Sequence, residues 1–307
     1  KAFSTMYQEM MHTAENPPVH DRTRTVAFIM DSQSIHFRHF TKNDPVCGNL
    51  ITGLLGPVAK AGFQYDIHII ENLDKIPDDY PIYVFLNSFH LSGIQRETIR
   101  RRFQKKGNLI VWTYGAGYFT GADDEAYDCR DNNITDATGI TARSLISTHA
   151  APRATSPEGL WETEGKETSP LSPLFYIDDA DAVSLATFTD TGDDSLDGKC
   201  AAAVKSFRDH RSVYLGIPLW TPQILRMLAR LGGVPLYNPN DSPEYVLRVG
   251  NGHLLLHTSR KCEANLVFPS TIRRVVDVTN GSVLGENVDT LTVPVQKRNS
   301  RYLRLEK

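Results

Sequence analysis

Residues 107–121 read GNLIVWTYGAGYFTG, and their reading decides the fold. An unbroken run climbs from Leu109 to Thr113 and then breaks into the small residues Gly115, Ala116 and Gly117. A run without alternation is the pattern of a strand buried on both faces. Small residues after it let the chain turn sharply towards a crevice, where many α/β hydrolytic folds carry a nucleophile. Here a glycine stands at the tip.

Working outward, TVAFIM (25–30) reads as a buried strand ending at Asp31, and CGNLITGLLGPVAKAG as a helix closed by Gly62. YDIHII and YPIYVFLNS supply two more strands, and SGIQRETIRRRFQKKG is an amphipathic helix stopped by Gly107. Strands alternating with helices predict a doubly wound α/β domain with a parallel sheet. Residues 120–172 change character, being rich in Pro, Gly, Ser, Thr and acids, and read as a polar surface insertion. LFYID, VSLATFT and AAAVKSF resume as short strands, followed by SVYLGIP, a helix from Thr221 to Leu231 with Thr221 as cap and Pro222 first, and a last strand in GVPLYN.

Beyond Asp241 the period shifts. EYVLRVGNGHLLLHTS places Gly-Asn-Gly between two β-rich runs, and TNGSV and RNSRY repeat the turn pattern, so 241–307 reads as a small antiparallel β-domain. The expected organisation is a lead-in at 1–24, an α/β domain at 25–240 and the β-domain at 241–307. Three prolines in GGVPLYNPNDSPEYV favour a fixed junction.

The 307 residues are 40% hydrophobic and 22% charged, enough for a sizeable core and two domains. A net charge of −3 offers no general attraction to nucleic acid or an anionic membrane, and no apolar run reaches the ~20 residues of a membrane span. Cys47, Cys129, Cys200 and Cys262 lie far apart and form no C-x-x-C pair, the pattern of free thiols. Asn133, Asn240 and Asn280 sit in glycosylation sequons, which matter only in a glycosylating compartment. A chain that starts at Lys1 rather than Met is expected to be a processed product or part of a longer one.

Several groupings could carry chemistry. Aligning G-x-C-x-G of class I amidotransferases with TYGAG puts Gly115 on the cysteine, which removes the nucleophile, and none of the ten histidines stands two residues before a glutamate. Gly115 and Gly117 are therefore expected to serve the geometry of the turn. G-x-G-x-x-x-G at 115–121 has neither the spacing nor the position of a dinucleotide fingerprint, so no cofactor is indicated. HLLLH (253–257) would put two histidines on one face of a strand with no third ligand, and DDADA (178–182) lacks the rest of a calcium loop, so no metal is expected. Arg96, Arg100, Arg101, Arg102, Lys105 and Lys106 read as a solvated helix face. Of Trp112, Trp161 and Trp220, candidates for stacking on sugars, Trp161 is expected to be the exposed one. The remaining candidates are the residues that a doubly wound fold gathers at its strand ends: Asp31, Ser32, Asn87, Ser88, Tyr114 and Gly115.

The order of features resembles the part that follows the catalytic barrel in family 42 glycoside hydrolases, the β-galactosidases. The matching stretches are VAFIMDSQSIHFRH, LIVWTYGAGYFTGADD with NNITDATGI, LARLGGVPLYNPNDSPEYVLRVGNGHLLLHTS and LVFPSTIRRVVDVTNGSVLG. The resemblance implies a flavodoxin-like, class I glutamine amidotransferase-like trimerisation domain without a nucleophile, followed by a small β-domain. It further implies assembly with like subunits or an upstream catalytic barrel, with carbohydrate as the candidate ligand. The two catalytic glutamates of that family belong to the barrel and have no counterpart in these stretches. The alternative is a free-standing hydrolase or ligand-binding protein that uses the crevice at the strand ends.

Overall fold

The computed structural model describes residues 2–15, 21–37, 45–121, 128–157, 159, 169–240 and 243–307. Its helices and strands run α1 (Ala2–Glu15), β1 (Thr25–Met30), α2 (Pro45–Leu50), α3 (Leu55–Ala61), β2 (Gln64–Ile69), β3 (Ile82–Phe85), α4 (Gly93–Arg102) and β4 (Asn108–Thr113). Then come β5 (Phe119–Thr120), β6 (Asp128–Cys129), α5 (Asp131–Thr138), β7 (Ala142–Leu145), β8 (Ala154–Thr155), β9 (Leu174–Ile177), β10 (Val183–Phe188), β11 (Cys200–Ser206), β12 (His210–Leu215) and α6 (Pro222–Leu231). The chain closes with β13 (Tyr245–Gly250), β14 (His253–Thr258), β15 (Cys262–Asp277), β16 (Ser282–Val295) and β17 (Asn299–Glu306). Among the described residues no helix is long and apolar enough to cross a membrane.

The result is a mixed α/β protein with a parallel-rich sheet and a separate antiparallel one. The larger sheet runs β2-β1-β3-β4-β12-β11-β10-β8, with β9 pairing β7 and β11 off this path. β4 pairs in parallel with both β3 and β12, whereas β12, β11, β10 and β8 pair antiparallel in turn. Every residue of β3 and β4 is buried, which explains their unbroken apolar sequences. At the sheet edge β2 leaves Ile67 and Ile69 exposed.

Three expectations need correcting. The helix expected over residues 47–62 is interrupted: α2 ends at Leu50, a 3₁₀ turn covers Thr52–Leu54, and α3 follows. Gly48, Gly53, Gly56 and Pro57 explain the break, since glycine favours other conformations and proline lacks the N–H. The stretch NNITDATG, assigned to a polar excursion, contains α5, which buries Ile134, Ala137 and Thr138 and ends in a left-handed cap at Gly139. GVPLYN is not a strand. It links segments through two backbone bonds: Tyr237 N–H donates to Gly62 O at 2.7 Å, and Tyr237 O accepts from Val267 N–H at 2.9 Å.

The chain separates into two compact units, one of residues 27–54 with 66–224, the other of 1–26 with 55–65 and 225–307. In the second, the sheet order is β13-β14-β17-β15-β16, all antiparallel. Asn251 and Gly252 both take positive φ between the paired Gly250 and His253, the two-residue turn that Asn-Gly favours. β15 shifts register between Val267 and Ile272, and its Leu266, Phe268, Ile272 and Val275 join Leu247, Leu254, Leu256, Leu303 and Tyr237 in one core.

Within this unit Arg226 is buried, and its Nη1 donates to Asn238 Oδ1 at 2.5 Å and to Ala61 O at 3.1 Å. Arg248 lies 3.7 Å above the centre of the Tyr65 ring. Residues 241–307 expressed alone lose Tyr237, Tyr65 and the Arg226 link together. Amide exchange in that fragment should be faster throughout β13–β15 than in the whole chain, and equal protection in the two would show that the flanking segments contribute nothing.

α1 reaches the same sheet through Glu9, whose carboxylate meets His253 Nε2 at 3.0 Å and Arg304 Nη1 at 3.0 Å. Burial opposes ionisation of Glu9, but the His253 and Arg304 contacts outweigh it and the pKa falls below its ordinary value. A depressed carboxylate pKa gives stability that is present above the unfolded value, ~4.3, and lost as pH falls through the folded one. Amide exchange in α1 is therefore expected to accelerate on acidification below that window, while Glu9→Gln should exchange fast already at neutral pH. Identical exchange in the variant and the parent at pH 7 would contradict the clamp.

Candidate functional site

The ends of β1 and β3 are tied by a reciprocal pair. Asp31 N–H donates to Asn87 Oδ1 at 2.9 Å, and Asn87 Nδ2 donates to Asp31 O at 2.7 Å. The Asp31 carboxylate accepts from the N–H groups of Gln33 and Ser34 at 2.9 and 3.0 Å and from the Ser34 hydroxyl at 2.5 Å. Burial pushes the Asp31 carboxyl up, against the bonds from Ser34 and Gln33 that favour its charge. The carboxylate thus shapes the turn after β1. Ser32 is held by Glu71 through both its N–H and its hydroxyl. Ser88 is buried; its carbonyl accepts from Gly117 N–H at 2.7 Å, while its Oγ has no hydrogen-bond partner among the described residues.

Beyond β4 the turn takes an unanticipated form. The residue in the left-handed region is Tyr114, with φ 51°, and not Gly115. Three bonds hold Tyr114 there: its N–H donates to Leu215 O at 2.7 Å, its carbonyl accepts from the Tyr214 hydroxyl, and its own hydroxyl donates to Pro173 O at 2.5 Å. A Cβ on Gly115 would lie 3.2 Å from the Phe175 ring, a contact that the ring would have to yield to accommodate. Gly117 has φ 68° and closes the turn.

Four of the six candidates therefore fall into two groups. Asp31 and Asn87 meet directly, whereas Tyr114 and Gly115 line a separate pocket of about 80 Å³ with Phe37, Phe89, Tyr118, Phe119, Pro173 and Phe175. His90 stands beside it, stacked on Phe37 at 5.0 Å, with its backbone N–H donating to Ser34 Oγ at 3.1 Å. The sequence reading missed these aromatic residues. The available signal was that β1, β3 and β4 are each followed within a few residues by aromatics, in IHF, SFH and GYF.

The basic helix also differs from expectation. Arg96 is only 7% exposed, and it donates to Leu91 O, Asn133 O and Gly117 O at 3.0, 2.7 and 2.7 Å and to Asp136 at 3.1 Å. Arg102 donates to Leu73 O and Ile76 O. Both arginines join backbone segments, so the solvated-face reading fails for them.

Of the other groupings, Asp179 binds Lys205 at 2.9 Å and the Thr141 N–H at 2.9 Å. His253 and His257 contact Glu9 and Ser300. Among the described residues no three His, Cys, Asp or Glu gather as a metal site. Trp112 is buried against Phe85, and Trp220 is buried with its Nε1 donating to Leu50 O. Trp161 lies outside the described residues.

No protein-family model matches the chain, and no curated protein sequence matches it. Its fold, however, is similar to part of several solved glycosidases. The β-galactosidase of the Antarctic haloarchaeon Halorubrum lacusprofundi matches 97% of this chain with a TM-score of 0.64 at 14% identity. A GH42 β-galactosidase from G. stearothermophilus matches 92% with a TM-score of 0.62 at 11% identity. The α-L-fucosidase isoenzyme 2 of Paenibacillus thiaminolyticus matches 98% with a TM-score of 0.58 at 10% identity. The match spans 42%, 40% and 51% of those three chains, respectively.

Proposed function

We propose that this chain is a non-catalytic C-terminal portion of a larger glycosidase-like protein, acting in subunit assembly and in shaping the approach to a catalytic barrel. The observation that carries this reading is the coverage: nearly the whole chain corresponds to about two-fifths of each β-galactosidase. In this reading the larger sheet belongs to an amidotransferase-like, flavodoxin-like trimerisation domain. The turn after β4 supports it, because Gly115 has no side chain and the Tyr114 hydroxyl is held by a backbone carbonyl. The domain limits proposed are 1–24, 25–240 and 241–307, with the partners being like subunits or the barrel. The edge strand β2, where Ile67 and Ile69 are 54% and 43% exposed, presents the kind of surface that an interface covers.

The purified chain is expected to hydrolyse neither glutamine nor an aryl β-galactoside, and to sediment as an oligomer that Ile67→Lys with Ile69→Lys reduces to monomer. Turnover that disappears in a Tyr114→Phe variant, or a strictly monomeric parent chain, would count against the proposal.

A further inference from the structure

The pocket beyond β4 has properties that an assembly role does not require. Among the described residues that line it, six of eight are aromatic and none is charged. The Tyr114 hydroxyl is already taken up by Pro173 O. Most of what faces the space is apolar, which disfavours an anionic or strongly hydrated guest.

The walls are held in place. Tyr114 packs edge-on against Phe175 at 5.0 Å and against Phe89 at 5.9 Å, and Tyr118 packs edge-on against Phe175 at 5.2 Å. Tyr114 carries the positive φ, a strain that persists only where surrounding bonds fix it and that clusters at ligand sites. At Gly115 the missing side chain keeps Phe175 from being pushed aside.

Its position follows a rule of open α/β sheets. Phe37 follows β1, Phe89 follows β3, and Tyr114, Gly115, Tyr118 and Phe119 follow β4, so the pocket lies beyond the carboxyl ends of neighbouring strands. The chain order β2-β1-β3 reverses direction at β1, and such sheets bind ligands beside that reversal. The ~150 Å³ apolar cavity known to take benzene is larger than the pocket's 80 Å³, but this pocket is open on one side.

We propose that this pocket is a binding site for a single uncharged aromatic ring, inserted edge-first among Phe37, Tyr114, Phe119 and Phe175. The ring would extend the edge-to-face contacts already present, whereas a cation would find no carboxylate among the described lining residues to pair with.

The test uses the whole chain, with phenol as probe and tetramethylammonium as the charged comparison, observed by saturation-transfer NMR and titration. Phenol is expected to bind saturably with a Kd on the order of 1 mM, as a good fit for so small a ligand allows, and tetramethylammonium to bind more weakly. Gly115→Val should weaken phenol binding at least about tenfold by filling the space. Phe37→Ser, at the half-buried rim, provides a second variant that does not disturb the sheet and should weaken binding as well. Absent or non-saturating transfer to phenol, stronger binding of tetramethylammonium, or unchanged phenol affinity in a folded variant would each overturn the proposal. Sedimentation of the same samples separates this result from the assembly reading, since either can fail alone.

Discussion

Arg96→Ala is expected to lower the unfolding free energy by about 4 kcal/mol. The guanidinium joins three parts of the chain: the approach to α4 at Leu91, the turn after β4 at Gly117, and α5 at Asn133 and Asp136. Removing it leaves three carbonyls without their donor in a site from which water is largely excluded. Each such group costs roughly 1–3 kcal/mol, and an uncompensated partner of a buried pair about 3–5. The Asp136 share is small because that carboxylate is exposed and also pairs with Arg100 at 2.5 Å. Arg96→Lys should recover little, since an ammonium lacks the planar fork that reaches Leu91 O and Gly117 O together. Urea titration would check this; a loss below about 1 kcal/mol would mean that water replaces the guanidinium.

Gly117→Ala is expected to cost about 3 kcal/mol. The residue has φ 68°, and an added Cβ would lie 2.7 Å from the Ala137 Cβ and 3.2 Å from Arg96 Nη2. Left-handed backbone accounts for roughly 1 kcal/mol, and the contact with α5 adds the remainder because neither neighbour is the free end of a flexible chain. Gly115→Ala should cost less, about 1 kcal/mol, because its Cβ meets the Phe175 ring at 3.2 Å with no positive φ to add strain. The two costs are compared by thermal unfolding. Equal losses would show that ring displacement at Phe175 is as hard as moving a helix. Because Gly117 O also accepts from Arg96, the double variant Arg96→Ala with Gly117→Ala should lose less than the sum.

The sequence discloses the sheet better than the site. β4 was legible because burial on both faces demands an unbroken apolar run, and the β13–β14 hairpin because Asn-Gly supplies two left-handed residues cheaply. α5 was not, since Asp131, Asn132, Asn133 and Thr135 are turn formers and only Ile134, Ala137 and Thr138 reveal a buried face. Arg96 was hidden among five other basic residues; what distinguishes it is the carbonyls that converge on it, which come from positions 91, 117 and 133. The sequence points to Gly115 at the tip of the turn because glycine is the usual left-handed residue, whereas three tertiary hydrogen bonds hold Tyr114 in that conformation. The pocket combines residues that follow three strand ends with Pro173 and Phe175, a convergence that no local pattern encodes.

The smaller unit is assembled from three separate stretches, and this bears on how the protein is made. Residues 55–65 leave the ribosome about 160 residues before Leu225, and residues 1–26 earlier still. At ~5–20 residues per second that interval lasts roughly ten to thirty seconds. Throughout it α3 has no β13 to pack against, and Gly62 O and Ala61 O await donors on Tyr237 and Arg226. The stretch 66–224 is complete before the smaller unit can begin to close. Vectorial synthesis therefore imposes an order on folding, with residues 55–65, made before 66–224, waiting for their partners beyond Leu225, and a nascent chain stalled before Leu225 presents Val58 and Ala61 of α3 without the β-sheet core of their own unit.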